Sequence, residues 1–406
     1  MPDIVIDAAT VGNQARGMRS IVFVSQMVGY AFVDATNADF YYVKTTDGGK
    51  TWGSEVSISG ADTIFAFDVW YDQWTPGNTG RDIHIFWFGT AADAPSHRRL
   101  NTTNDVLSNT VLILDGATAV EGRGVFITGT RARGGNLYCG FNIDAFAETG
   151  LYRSTDNGVT WTVRTQPLEA DLDQYMLYPA NAVDPQDVWM IYDDDSTTEL
   201  TVKTHDDSAN SNSESAALTF NNNASDAVGQ YGFDGSIRHS DNHLILAYVD
   251  AYDAAGASDF KVYDFDGTTL TALTDIATNV DDIYYPSVFL NQDQPDWIYV
   301  AYVGLTSGAE ALGTGVGVYY ARSKDRGLTW TKDIPYSTSV TDYRQSWAPL
   351  NGERFLVAFT DISGTDLMTN QDNSIEFGFT RLNNYQFAKA TGQNNTGIIS
   401  VTEKIK

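Results

Sequence analysis

A single cysteine, Cys139 in the strand-like "NLYCGFN", excludes an intrachain disulfide and reads as a small buried hydrophobe. Positive charge is scarce: 25 Lys and Arg stand against 52 Asp and Glu, a formal net charge of −27. That balance repels phosphate, so it argues against nucleic acid as a partner and points to a solvated surface. No apolar run approaches the roughly 18 residues of a membrane span, which argues against membrane insertion. The start, "MPDIVIDAAT", has neither a basic segment nor a long apolar one, and is not expected to be a signal peptide. Five histidines are scattered. His239 and His243 are four apart but have no helix to align them, so no zinc site is expected. The chain lacks G-x-S-x-G, a phosphate-binding P-loop and a dinucleotide-binding glycine pattern. Long helical periodicity is scarce as well.

What is present is short alternation ended by turn residues: "DIHIFWFGT", "GVFITGT", "NHLILAYVD", "DWIYVAYVG", "RFLVAFTD". Hydrophobic residues make up 42% and aromatics 13%, enough for a substantial core. One turn recurs: "KTTDGGKTW" at 44–52, "RSTDNGVTW" at 153–161 and "RSKDRGLTW" at 322–330. Asp47, Asp156 and Asp325 are 109 and then 169 residues apart, roughly two and three periods of about 55. That period predicts degenerate copies, found at Asp105, Asp206, Asp266 and Asn383. Each unit reads as three strands running into the turn and a fourth leaving it. Seven units of four antiparallel strands predict a single all-β domain over 1–406, a seven-bladed β-propeller. A strand from one terminus, "DIVIDAA" or "GIISVTEK", is expected to complete the last blade. Six blades would result if the 170–220 unit were incomplete.

The motif S/T-x-D-x-G-x-T-W has a physical logic. The Asp accepts backbone N–H bonds of its own turn. Gly49, Gly158 and Gly327 supply positive φ. Trp52, Trp161 and Trp330 are expected to seal the hairpin by lying on the neighbouring strand. The pattern resembles the Asp box, or BNR repeat, of the sialidase-like superfamily. The resemblance implies a propeller whose boxes are peripheral and structural.

It also implies what an active member would carry: three arginines gripping a substrate carboxylate, a Tyr nucleophile paired with a Glu, and an Asp acid. The short Arg-Ile-Pro-like motif that usually holds the first arginine is missing; the nearest text, "QARGMRSIV", offers Arg16 and Arg19. Arg123, Arg238 and Arg344 lie near expected inner-strand starts, with Tyr343 or Tyr285 and Asp62 or Asp68 as possible partners. Arg16, Arg123, Arg238, Tyr343 and Arg344 are therefore the candidate ligand-binding set; no catalytic set is assigned. Carboxylates bunch at 170–175 and 192–199, where calcium is conceivable; no other cofactor or metal is expected. Aromatic clusters in "VWYDQW", "DIYYPS" and "YRQSWAP" suit inter-blade core better than a glycan surface. The functional expectation is a non-enzymatic virion or surface protein, such as a bacteriophage decoration, fibre or receptor-recognition component. It would act in the virion or outside cells, with other surface proteins or glycans as partners. The alternatives are a sialidase-like exo-glycoside hydrolase and a secreted binding scaffold.

Overall fold

The computed structural model describes residues 4–7, 19–34, 40–60, 64–89, 94–113, 126–143, 148–165, 172–194, 199–219, 232–250, 258–280, 283–304, 317–337, 343–361, 367–370 and 375–376. They form seven antiparallel blades of a β-propeller. The inner strands are Ile21–Phe23, Ile64–Tyr71, Phe126–Arg131, Leu172–Pro179, Phe233–Arg238, Ile283–Asn291 and Tyr343–Trp347, in blades 1 to 7. The unit around 170–220 is a full blade, built from Leu172–Pro179, Val188–Asp194, Glu199–Asp206 and Ser211–Thr219. Seven blades, not six, therefore close the ring. In blade 7 the outer strand is Ile4–Asp7, which pairs antiparallel with Leu367–Thr369. The other candidate, "GIISVTEK", lies outside the described residues, as does Asn383.

Strands alternate in direction within a blade, so the turn between third and fourth strands lies on the face where the inner strands end. The three matching turns are built alike. The Oγ atoms of Thr45, Ser154 and Ser323 each donate to the turn Asp at 2.8 Å and accept the N–H of Gly49, Gly158 or Gly327 at 2.8 Å. The hydroxyls of Thr51, Thr160 and Thr329 reach the second carboxylate oxygen at 2.6 Å. Burial alone would raise the Asp47 pKa, but the bonds from Thr51, Thr45 and Lys50 outweigh it and hold it at about 2. The same hydroxyl and amide donors, led by Thr160, hold Asp156 at about 2. Among the degenerate copies, Asp206 and Asp266 also lock their turns through backbone N–H groups.

The tryptophans do not lie over their own hairpins, as expected from sequence; they cross to the preceding blade. Trp161 meets Phe86 and His97 of blade 2 edge-on. Trp330 packs beside Leu273 of blade 5 and donates Nε1–H to Thr274 O at 2.8 Å. Trp52 packs on the cluster of Ile6, Leu356 and Leu367 in blade 7 and Ile21 and Val43 in blade 1. Blades twist in the same sense and splay apart toward their outer edges, and an aromatic at the rim fills the widening gap.

A polar belt ties the inner strands together around the axis. A side chain on one inner strand accepts the backbone N–H of the next at five consecutive junctions: Gly129 N to Asp68, Leu177 N to Thr128, Gly235 N to Tyr178, Val288 N to Asp234, and Ala348 N to Ser287. The distances run from 2.7 to 3.2 Å. Inner strands have one unpaired edge facing the axis, and buried N–H groups there need acceptors. The belt supplies them.

Candidate functional site

Four belt or axial residues converge at mid-channel. Arg19, just before the first inner strand, donates from Nη1 to Asp68 at 3.1 Å and to Gly129 O at 2.9 Å, and from Nη2 to Leu177 O at 3.1 Å. Its guanidinium carbon sits 4.9 Å from the Trp70 ring centroid and 5.0 Å from that of Tyr178. The Tyr178 hydroxyl accepts Gly235 N–H at 2.9 Å and donates to Asp234 Oδ1 at 3.3 Å. The group thus draws on blades 2, 4 and 5 and on the segment entering blade 1. Asp234 is the most exposed of the four, at 7%.

Electrostatics here are set by burial. Desolvation pushes Asp68 up to about 6, although Arg19 and the Gly129 N–H pull it down. Desolvation likewise pushes Asp234 up to about 6, against the Val288 N–H and Arg19. Burial works against the charge on Arg19, but Asp68, Tyr178 and Asp234 together raise its pKa. Burial and then Asp234 raise the Tyr178 pKa, so the phenol stays protonated. One cation, two carboxyls that exchange protons near pH 6, and a phenol paired with one of them can support general acid–base chemistry.

The channel is crossed on the strand-end face by the turn Asp72–Trp74 of blade 2. Trp74 O lies 3.2 Å from His239 Nε2 of blade 5, and Gln73 O accepts from Gln292 Nε2 of blade 6 at 3.2 Å. A small cavity of about 80 Å³ lies beside the crossing turn, lined by Phe23, Tyr71, Gln73, Gln292, Asn351 and Glu353 among others.

The sequence candidates are dispersed. Arg16, Arg123 and Asp62 lie outside the described residues. Tyr343 and Arg344 stand on the inner strand of blade 7, with side chains outside what is described. Arg238 is at the far end of the blade 5 inner strand, roughly 13 Å along it from Asp234 at about 3.3 Å per residue. There it is held by Asp241 and by Asp264 at 2.6 Å, which also accepts His243 Nδ1 at 2.7 Å. Asp68 is at the centre. Tyr285 is on the blade 6 inner strand above the belt. Trp70, Tyr71 and Trp74 are buried core, as their alternation suggests. His239 and His243 bond different partners and do not converge. Among the described residues no group of three His, Cys, Asp or Glu could hold a metal ion.

Tyr178 and Asp234 were missed in sequence. The belt residues Asp68, Thr128, Tyr178, Asp234 and Ser287 share no residue type, and in the strands FITGTR, LDQYMLYP and FDGSIR they stand among other polar residues, so no local pattern marks them.

No protein-family model matches the sequence, and no curated protein does. Solved structures do share the fold. A polysaccharide lyase of family PL25, an ulvan lyase, is similar at 11% identity and a TM-score of 0.56, over 91% of this chain and 95% of that one. The same kind of lyase bound to -[GlcA(1-4)Rha3S]- is similar at 12% identity, with the same TM-score and coverage. An α-L-arabinanase from Penicillium chrysogenum is similar at 14% identity and a TM-score of 0.40, over 61% and 81%. These are carbohydrate-cleaving enzymes. The sequence-based expectation of a non-enzymatic virion or receptor-recognition component is corrected by the two ulvan lyase structures, which share the fold with TM-scores of 0.56 and are enzymes; at 11–12% identity they show the shared fold.

Proposed function

We propose that the chain is a glycoside-cleaving enzyme, a sialidase-like exo-glycoside hydrolase whose three matching turns are Asp boxes. The observation that carries the reading is the convergence of Arg19, Asp68, Tyr178 and Asp234 on the channel axis. The resemblance calls for a Tyr paired with a Glu, an Asp acid and three arginines; here Tyr178 is paired with Asp234 in place of a Glu, Asp68 is the second carboxyl, and Arg19 is the one arginine of the group. Tyr178 is the nucleophile and Asp234 its proton acceptor, helped by the Gly235 N–H that already bonds the phenol oxygen. Asp68 is the acid, since burial keeps a proton on it up to about pH 6. When Asp68 is protonated, the Arg19 charge is no longer neutralised on that side and can attract a substrate carboxylate. An anionic sugar is therefore the substrate class. The shared fold with a lyase bound to a glucuronate-containing glycan supports the same class.

The experiment is turnover of a fluorogenic sialoside and a fluorogenic glucuronide between pH 4 and 8. Tyr178→Phe removes one oxygen and keeps the ring that packs on Arg19. A loss of at least about 100-fold in kcat is expected, in a protein that melts lower because the Gly235 N–H has lost its acceptor but is still folded at the assay temperature. Unchanged turnover in Tyr178→Phe, or no turnover of either probe by the parent, refutes the reading.

A further inference from the structure

Tyr285 has a φ of 55°, in the left-handed region where a bulky side chain crowds its own backbone. The next residue is Pro286, whose ring restricts the residue before it still further. Both lie in the inner strand of blade 6, Ile283–Asn291. The ladder to Ile298–Gly304 slips there: Tyr284 opposes Val303, but Ser287 opposes Ala301. Tyr285 and Pro286 together face Tyr302, which defines a β-bulge. The inner strands of blades 2, 4 and 7 also slip register near their starts; among the described residues of the inner strands, blade 6 alone carries a non-glycine residue of positive φ at the slip.

Its effect is felt downstream. Successive N–H groups of an edge strand point alternately to the partner strand and away from it. One inserted residue reverses that alternation for everything that follows. With the bulge in place, Val288 N–H meets Asp234 Oδ2 at 2.7 Å and Ser287 Oγ accepts Ala348 N–H at 2.9 Å. Without it, the Val288 N–H would turn into its own ladder and leave the carboxylate.

We propose that the strained Tyr285–Pro286 bulge is a positioning device that aims the Val288 N–H at the Asp234 carboxylate. This rests on the reading of Asp234 as the partner of Tyr178 and assigns it a control from the neighbouring blade. The groups facing Asp234 are the Arg19 guanidinium, the Tyr178 phenol of blade 4, the Gly235 N–H and the Val288 N–H of blade 6. Burial raises the Asp234 pKa, and the Val288 N–H is the foremost influence opposing it. Removing that donor leaves the carboxylate harder to ionise.

The test is the titration of Asp234, followed by NMR on protein labelled with ¹³C at the Asp carboxyls and assigned with Asp234→Asn. Pro286→Ala lets residue 285 relax to an extended conformation and the register close. Its Asp234 midpoint is expected to rise by about one pH unit or more, and the acidic limb of sialoside turnover to move the same way. Tyr285→Gly adopts positive φ without strain, keeps the bulge and leaves the midpoint in place. Pro286→Val, which favours an extended strand, repeats the test if Pro286→Ala does not fold. An unmoved midpoint in the Pro286 variant, or an equal shift in Tyr285→Gly, overturns the proposal. A midpoint that moves as expected in a protein that turns over no sialoside upholds the positioning role and refutes the hydrolase reading.

Discussion

Arg19 shows how much one side chain can be asked to do. It is 2% exposed and satisfies a carboxylate and two backbone carbonyls from three blades. Removing it takes from Asp68 its charged partner, leaving it the Gly129 N–H, and takes a donor from each of the two carbonyls. Arg19→Met is expected to cost about 3–5 kcal/mol in chemical denaturation, and the Arg19→Met/Asp68→Leu double variant less than the sum of the singles. Glycine behaves in the same positional way. Gly158 has φ 87°, and an added Cβ would come 2.1 Å from His97 Cε1. Gly60 has φ 73° with open space around it. Gly158→Ala should therefore lose about 3 kcal/mol, combining backbone strain with overpacking, and Gly60→Ala about 1 kcal/mol from strain alone. Equal losses in urea titrations would mean that His97 yields. The turn of Gly158 is legible in the sequence, but its close approach to His97 is not, because His97 belongs to another blade.

At the scale of the element, the recurring turn turns out to work in two directions. Its Trp and Gly reach the preceding blade, while in the first two motifs the basic residue that opens the motif reaches the following one. Arg153 Nη1 lies 2.8 Å from both oxygens of Asp207 in blade 4, where the Tyr138 hydroxyl also donates at 2.6 Å. Lys44 and Tyr30 grip Asp105 of blade 2 in the same way, with Tyr30 donating at 2.6 Å. The two clamps differ in burial: Asp207 is 9% exposed and Asp105 is 40%. Asp207→Ala is thus expected to cost about 2–3 kcal/mol, by leaving a phenol and a guanidinium unpaired. Asp105→Ala should cost below about 1 kcal/mol, because water replaces the lost partner. Thermal unfolding of the pair checks the order. The turn, the repeat and the blade count were legible because each depends on residues close in the chain. The belt and the axial group were not. Asp68, Tyr178 and Asp234 come from different blades, and only closure of the ring brings them to one another, to Arg19 and to the backbone N–H groups they accept. The outward swing of Trp161 onto His97 was hidden for the same reason.

Across the whole molecule, buried carboxyls and histidines set opposing pH dependences. Burial raises Asp34 to about 7 and Asp68, Asp187 and Asp234 to about 6. In the unfolded chain these groups titrate near 3.8, so the fold binds more protons in between and gains stability as pH falls. His97, His205 and His239 are lowered by burial, so below about 6.5 the unfolded chain takes up more protons and stability falls. Asp47, Asp72 and Asp156, held at about 2, add a further loss from about pH 4 downward. Between pH 8 and 6.5 only the first group acts, and the large negative charge also eases. Calorimetry should show the melting temperature rising by about 2–4 °C across that interval and dropping steeply below pH 4. The outer strand of blade 7 has a different consequence, in time. Ile4 pairs with Thr369, so a strand made early must wait for a strand made far later before it can dock. During synthesis the six intervening blades can assemble while a hydrophobic flank stays uncovered, and the join that makes them a circle forms only once Leu367–Thr369 has emerged.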